Sequence, residues 1–326
     1  MDREQEQLQS LGFFGTIKES FKIIFLWKQI FTHITLTLIL PLSVFYLVQI
    51  EISDLLSSKV SNTSNNNNTT RHHLAIDSTF IVIFKIVDLV FYLILYLLST
   101  AAVVYTVACI YTAKQTTYKK VMKIVPKVWK RLLVTFLWSV LIFFVYNVVA
   151  VGVFALWIVL LSDTVAGVVV GVVILILYLV GLVYISVIWQ LASVVSVLED
   201  KYGLKAMKKS RVLIKGKMGV AVLTFILFVL CFGGIDFIFE RYVVIEWSRN
   251  LLISILVAIG CVVLLVPVNL LSLVVATIIY FVCKSYHHEN IDKSSLSDHL
   301  EEYLGDYVRL NRSKDVQLEQ QSDSRV

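Results

Sequence analysis

The chain has 326 residues, of which 58% are hydrophobic and 16% charged, and 29 Lys and Arg against 23 Asp and Glu give a net charge of +6. A water-soluble domain could not hide that much apolar surface, so the composition excludes a soluble globular protein and points to the bilayer. With three prolines and thirteen glycines the apolar runs stay unbroken rather than alternating, which selects helices over a β-barrel.

The expected fold class is therefore all-α: a polytopic membrane protein with six transmembrane helices and amphipathic interfacial helices before spans 1, 3 and 5. The positive charge concentrates in two short loops beside apolar runs. No nucleic-acid recognition fold accompanies it, so the expected partners are anionic membrane lipids and not RNA or DNA.

Residues 1–29 read as a cytosolic N-terminal amphipathic segment. Its start, MDREQEQLQS, is polar, and the apolar run begins too late for a secretory signal peptide. Phe13, Phe14, Ile17, Phe21, Ile24 and Phe25 fall at helical spacing among Lys18, Glu19 and Lys22, the pattern of a helix lying on the cytosolic leaflet. Residues 30–283 form the transmembrane domain. Its first span covers Ile30 to Ile50, kinked at Pro41, with His33 at headgroup level.

Residues 51–78 form a polar lumenal loop with the composition of a disordered segment, centred on SNTSNNNNTT. Asn62, Asn67 and Asn68 each open a glycosylation triplet, a pattern that an asparagine run also produces by chance. His72 and His73 read as solvated, with weak metal binding as the sharper alternative. The second apolar run, Phe80 to Tyr111, is about 45 Å long as a helix and exceeds the hydrocarbon thickness of about 30 Å. Part of it must emerge, and two readings follow for Lys85 and Asp88: a hydrated pair at the lumenal interface, or an intramembrane ion or proton site.

Residues 112–131 carry Lys114, Lys119, Lys120, Lys123, Lys127, Lys130 and Arg131 and no acid, which places this loop in the cytosol. Val121, Ile124, Val125, Val128 and Trp129 interleave with those lysines at helical spacing. Spans three (Leu132 to Leu161) and four (Val165 to Leu198) are joined by Ser162, Asp163 and Thr164, and so form a tight antiparallel hairpin. Gly167 and Gly171 are a small-xxx-small pair that lets a neighbouring helix approach.

Residues 199–217 are the second basic cytosolic loop, with Lys201, Lys205, Lys208, Lys209, Arg211, Lys215 and Lys217 against Glu199 and Asp200. Span five runs from Met218 to Phe239 and ends with Asp236, Glu240 and Arg241. Span six, Leu251 to Cys283, holds Pro267 with Asn269 two residues later. A helix broken there would free carbonyls for an ion, whereas a plain kink would not. The four cysteines lie in or at the edge of apolar segments, so no disulfide framework is implied, and Cys109 and Cys283 read either as packing residues or as S-acylation sites. Residues 284–326 are a cytosolic tail whose Leu296, Leu300, Tyr303, Leu304, Tyr307 and Val308 form an acidic amphipathic helix able to dock on the basic loops or on a partner protein.

The stretch SVVSVLEDKYGLKAMKKSRVLIKG, with Glu199, Gly203, Ala206, Ser210, Lys215 and Gly216, resembles bacterial six-span proteins related to the membrane domain of glycerophosphodiester phosphodiesterases. Across nearly the whole chain, LGFFGTIKESFKIIF and CKSYHHENIDKSSLSDHLEEYLG resemble a plant family of multi-pass membrane proteins, some named for a poly(A)-binding-protein partner. The resemblance implies membrane architecture and does not carry over hydrolysis. In it, Glu199, Gly203, Ala206, Ser210 and Gly216 would form an interfacial turn.

No catalytic, cofactor or metal motif is present in the spans. Two functions compete. The first is a non-enzymatic protein of the endoplasmic reticulum, endomembranes or plasma membrane, both termini cytosolic, that contacts anionic lipids through Lys119, Lys120, Lys123, Lys127, Lys130, Arg131, Lys205, Lys208, Lys209, Arg211, Lys215 and Lys217. The second is a transporter or channel for a small solute or ion, built on Asn147, Gln190, Pro267 and Asn269. Convergence of those polar groups on one cavity separates the two.

Overall fold

The computed structural model describes residues 11–50, 71–112, 117–161, 165–244 and 251–287. The Asn-rich run, Lys114, the Ser162-Asp163-Thr164 link, the loop after Val244 and the acidic tail lie outside the described residues. Within them the chain is helical and has no strand: α1 Phe13–Leu26, α2 Lys28–Ile50, α3 Arg71–Tyr111, α4 Tyr118–Leu161, α5 Val165–Leu198, α6 Leu204–Leu213, α7 Met218–Val244 and α8 Leu251–Tyr286. Six of these (α2, α3, α4, α5, α7 and α8) are long and apolar enough to cross a membrane. The fold is thus the all-α, six-span arrangement expected from the sequence.

Three features depart from the helices expected from the sequence. Helix α3 starts at Arg71, inside the loop drawn to residue 78, and its 41 residues span about 62 Å. The basic stretch before span three is not a separate helix, because α4 is continuous through Pro126 for 44 residues. Its inward stripe of Val121, Ile124, Val125, Val128, Leu132 and Thr135 is buried throughout, and the stripe stays in phase as it enters the span, so nothing in the packing favours a break. In α2, the turn Thr35–Ile39 is π-helical just ahead of Pro41, with the Leu40 amide bonded to the Thr35 carbonyl five residues back. Pro41 lacks an amide hydrogen for the Thr37 carbonyl, and the wider turn gives its ring room.

The main core sits toward the end of the bundle where α6 packs. Ala101 to Ala108 of α3, Val194 to Leu198 of α5 and Val274 to Cys283 of α8 meet there with the inward faces of α4 and α6. Cys109 and Cys283 are both fully buried in it, which makes them packing residues without the access that acylation requires. A smaller cluster of Leu47, Ile235, Phe239, Val243, Cys261 and Leu265 joins α2, α7 and α8 further along. The hairpin of α4 and α5 extends away from both clusters, and Phe144, Val149, Val151, Val159, Val169, Leu177 and Val180 are exposed along it. In it the Trp157 indole donates to the Gly167 carbonyl over 2.8 Å and occupies the space a Gly171 side chain would need.

The amphipathic helices differ in how they use their apolar faces. Helix α1 turns Thr16, Ser20 and Ile23 to the bundle and leaves Phe14, Phe21 and Phe25 exposed among the described residues. Helix α6 does the reverse: Ala206, Met207, Ser210 and Leu213 are buried against the protein and Lys205, Lys208 and Arg211 face out.

Candidate functional site

Between the two core clusters the helices do not close. A cavity of about 430 Å³ lies among α2, α3, α5, α7 and α8, within the size range of small-molecule sites. Each wall comes from a spanning helix. Helix α2 contributes Leu42 and Tyr46; α3 contributes Tyr92, Tyr96, Thr100 and Val104; α5 contributes Gln190, Ser193 and Val194. Helix α7 supplies Phe225, Phe228, Val229, Phe232, Gly233 and Asp236, and α8 supplies Asn269, Ser272, Leu273 and Ala276. The α3 residues repeat every fourth position, which stacks them along one face of the helix.

Among the described residues Asp236 is the one carboxylate in the lining, which contains no Lys, Arg or His. The Tyr46 hydroxyl donates to Asp236 Oδ2 over 2.7 Å, while Asp236 Oδ1 is buried with no hydrogen-bond partner among the described residues. The α-helical part of α7 runs Met218–Phe239 as expected, and a π-helical turn over Glu240–Val244 follows it, so Asp236 stands about two turns before the end of the helix. Aromatic rings surround it: Tyr46 lies 6.2 Å from Tyr92 and 6.5 Å from Phe232, and Tyr92 lies 6.3 Å from Tyr96, centroid to centroid.

Asp88 stands one turn before Tyr92 on the same face of α3. It is 5% exposed with Oδ2 unpartnered among the described residues, and no ion pair joins it to Lys85. The hydrated Lys85–Asp88 pair is therefore corrected: Asp88 is buried on the inward face that carries Tyr92 and Tyr96.

Of the four polar positions singled out in the spans, two converge. Gln190 and Asn269 both line the cavity, and Asn269 Nδ2 donates to Ser43 Oγ over 3.1 Å. Asn147 does not join them. It receives the Tyr178 hydroxyl over 2.9 Å and donates to the Phe143 carbonyl, bridging α4 and α5. Pro267 sits inside an unbroken α8 and is absent from the lining, so the broken-helix reading is corrected to a proline accommodated within the helix. The carboxylate and the tyrosines escaped sequence reading. Their only signal was the four-residue repeat of Asp88, Tyr92, Tyr96 and Thr100, which any inward helix face produces.

The second feature is the turn between α5 and α7. Gly203 has φ +61° and ψ −135°, a combination that side chains avoid. Its amide donates to Thr135 Oγ1 over 2.8 Å, and Thr135 Oγ1 lies 2.7 Å from Ser196 Oγ. Glu199 receives the Tyr280 hydroxyl over 2.8 Å and has Lys201 at 3.6 Å and Lys284 at 3.8 Å, and Asp200 pairs with Arg131 at 2.7 Å. Gly216, at φ +95°, lies where a side chain would overlap the Tyr286 ring, and Lys217 sits 5.7 Å from that ring's centroid. The motif residues Glu199, Gly203, Ala206, Ser210 and Gly216 thus make a protein-packed turn, with Ala206 and Ser210 fully buried. Outside it, Lys119, Lys120, Lys123, Lys127, Lys130, Lys205, Lys208, Arg211 and Lys215 are exposed, and Arg131, Lys209 and Lys217 are partly covered.

No curated protein and no solved structure matches this chain. A family model described as a domain of unknown function, DUF8558, matches residues 1–321, and the chain belongs to that family.

Proposed function

We propose that this protein is a multi-pass small-solute carrier, binding a largely apolar molecule with a polar group in the cavity between α2, α3, α5, α7 and α8. One observation carries the reading: Gln190, Asn269 and Asp236, from three different helices, line one cavity inside the bundle of spans. Polar groups there are costly unless they serve a ligand or a partner. Gly233 offers a test, since it lines the cavity and a Cβ there would meet nothing within 4 Å. The full-length protein in lipid nanodiscs is titrated with phenethylammonium, 2-phenylethanol and phenylacetate. Saturable binding of at least one, lost in Gly233→Phe, supports the reading. Absence of saturable binding of all three ends it.

A second reading coexists with the first and concerns where the protein sits. The exposed lysines of α4 and α6 gather at the end where Tyr280 meets Glu199, and Tyr202, Leu204 and Val212 are exposed among them. Apolar side chains mixed with lysines suit the headgroup layer of an anionic leaflet. On this reading that end is cytosolic, in an endomembrane or the plasma membrane, and both termini lie on that side. Gln replacement of Lys119, Lys120, Lys123, Lys205 and Lys208 is expected to remove the extra thermal stability that phosphatidylserine nanodiscs confer over phosphatidylcholine ones. Equal stability of the parent protein in both lipids would end it.

A further inference from the structure

Resting on the cavity reading, we infer that the cavity selects a monovalent organic cation, an alkyl- or arylalkylammonium, with Asp236 as its counter-charge and the Tyr46, Tyr92, Tyr96 and Phe232 rings as its cage. The charge inventory of the wall sets the sign. Among the described residues it holds one carboxylate and no basic side chain, so an anion would meet Asp236 with nothing to offset the repulsion. A neutral solute would leave an ionised Asp236 with its Oδ1, buried and without a partner among those residues, uncompensated in a medium of low dielectric constant. A cation resolves both.

Size and chemistry then separate organic from inorganic cations. Among the described residues no group of three or more His, Cys, Asp or Glu is placed to hold a metal ion, and a divalent ion needs several oxygen ligands. A volume of about 430 Å³ with a mostly aromatic and aliphatic wall is also far larger than a dehydrated ion requires. Ring faces carry negative quadrupole and attract ammonium groups, most strongly where water is excluded. The Tyr46 hydroxyl, bonded to Oδ2 over 2.7 Å, holds the carboxylate in place and leaves Oδ1 as the atom for the ligand.

The three-solute titration of full-length protein in nanodiscs discriminates. Phenethylammonium is expected to bind at least about tenfold more tightly than 2-phenylethanol, with phenylacetate weakest. Asp236→Asn, which keeps the shape and an acceptor for Tyr46, is expected to bring ammonium and alcohol within about twofold of each other, and Asp236→Glu to keep the ammonium preference. The comparison in the parent protein stands even where a variant does not fold. Equal binding of ammonium and alcohol, or preference for phenylacetate, with Gly233→Phe still abolishing binding, overturns the cation assignment and leaves the cavity reading intact. No binding of any solute overturns both.

Discussion

The Tyr280 hydroxyl donates to Glu199 over 2.8 Å, tying the end of α8 to the end of α5 across 81 positions of sequence. Lys284, one turn beyond Tyr280, approaches the same carboxylate at 3.8 Å. Both charged groups are mostly covered, so their pairing is screened less than at a free surface. Tyr280→Phe is expected to cost about 1–2 kcal/mol through the lost bond to a charged acceptor. Glu199→Ala is expected to cost about 3 kcal/mol, because it also strands the lysine. Thermal unfolding in nanodiscs reads both, and equal stability of Glu199→Ala and the parent would remove the tie from the account of the fold.

Gly203→Ala is expected to lose about 1–3 kcal/mol, since the new side chain is forced into a backbone region it avoids. The added Cβ also meets Trp138 Cδ1 at 3.1 Å. Gly219 lies in the first turn of α7, where a Cβ would meet nothing within 4 Å, and Gly219→Ala should be neutral or stabilising by up to about 1 kcal/mol. Comparison of the two unfolding midpoints checks the contrast. Similar shifts would mean that backbone strain at Gly203 plays no part.

Thr135 sits where three elements meet, accepting the Gly203 amide and touching Ser196. Thr135→Val keeps the volume but leaves a buried amide unpaired, at an expected cost of about 1–3 kcal/mol. Thr135→Ser restores the acceptor and should recover most of the loss. The readout is the unfolding midpoint together with hydrogen exchange at Gly203, which should accelerate in the valine variant alone.

Gln190 and Asn147 looked alike in the sequence, each a lone amide in an apolar span, and the fold gives them opposite roles. Gln190→Ala is expected to change phenethylammonium affinity by about threefold or more through its place in the cavity wall. Asn147→Ala should leave affinity unchanged and lower stability by about 1 kcal/mol, the worth of one interhelical bond. An affinity change in Asn147→Ala as large as that in Gln190→Ala would contradict the separation.

Much of the architecture follows from the sequence alone, because length and hydropathy are local properties. An apolar run of about 20 or more residues must satisfy its backbone internally, and only a helix does so. Six such runs and the lysine excess in residues 112–131 and 199–217 are legible without coordinates. Gly203 was legible as a chain-reversal residue and Gly216 through the motif resemblance, and both carry a positive φ.

The site was not legible in the same way. A carboxylate eight residues before the end of α7 reads as terminal until the π-helical turn extends the helix past it, and nothing in the sequence marks Tyr46 until α2 places its hydroxyl on Asp236. Packing decided which amides faced the cavity and whether each basic helix turned its apolar stripe inward or outward. These are rotational choices about a helix axis, settled by neighbours from distant parts of the chain, and hydropathy carries no record of them.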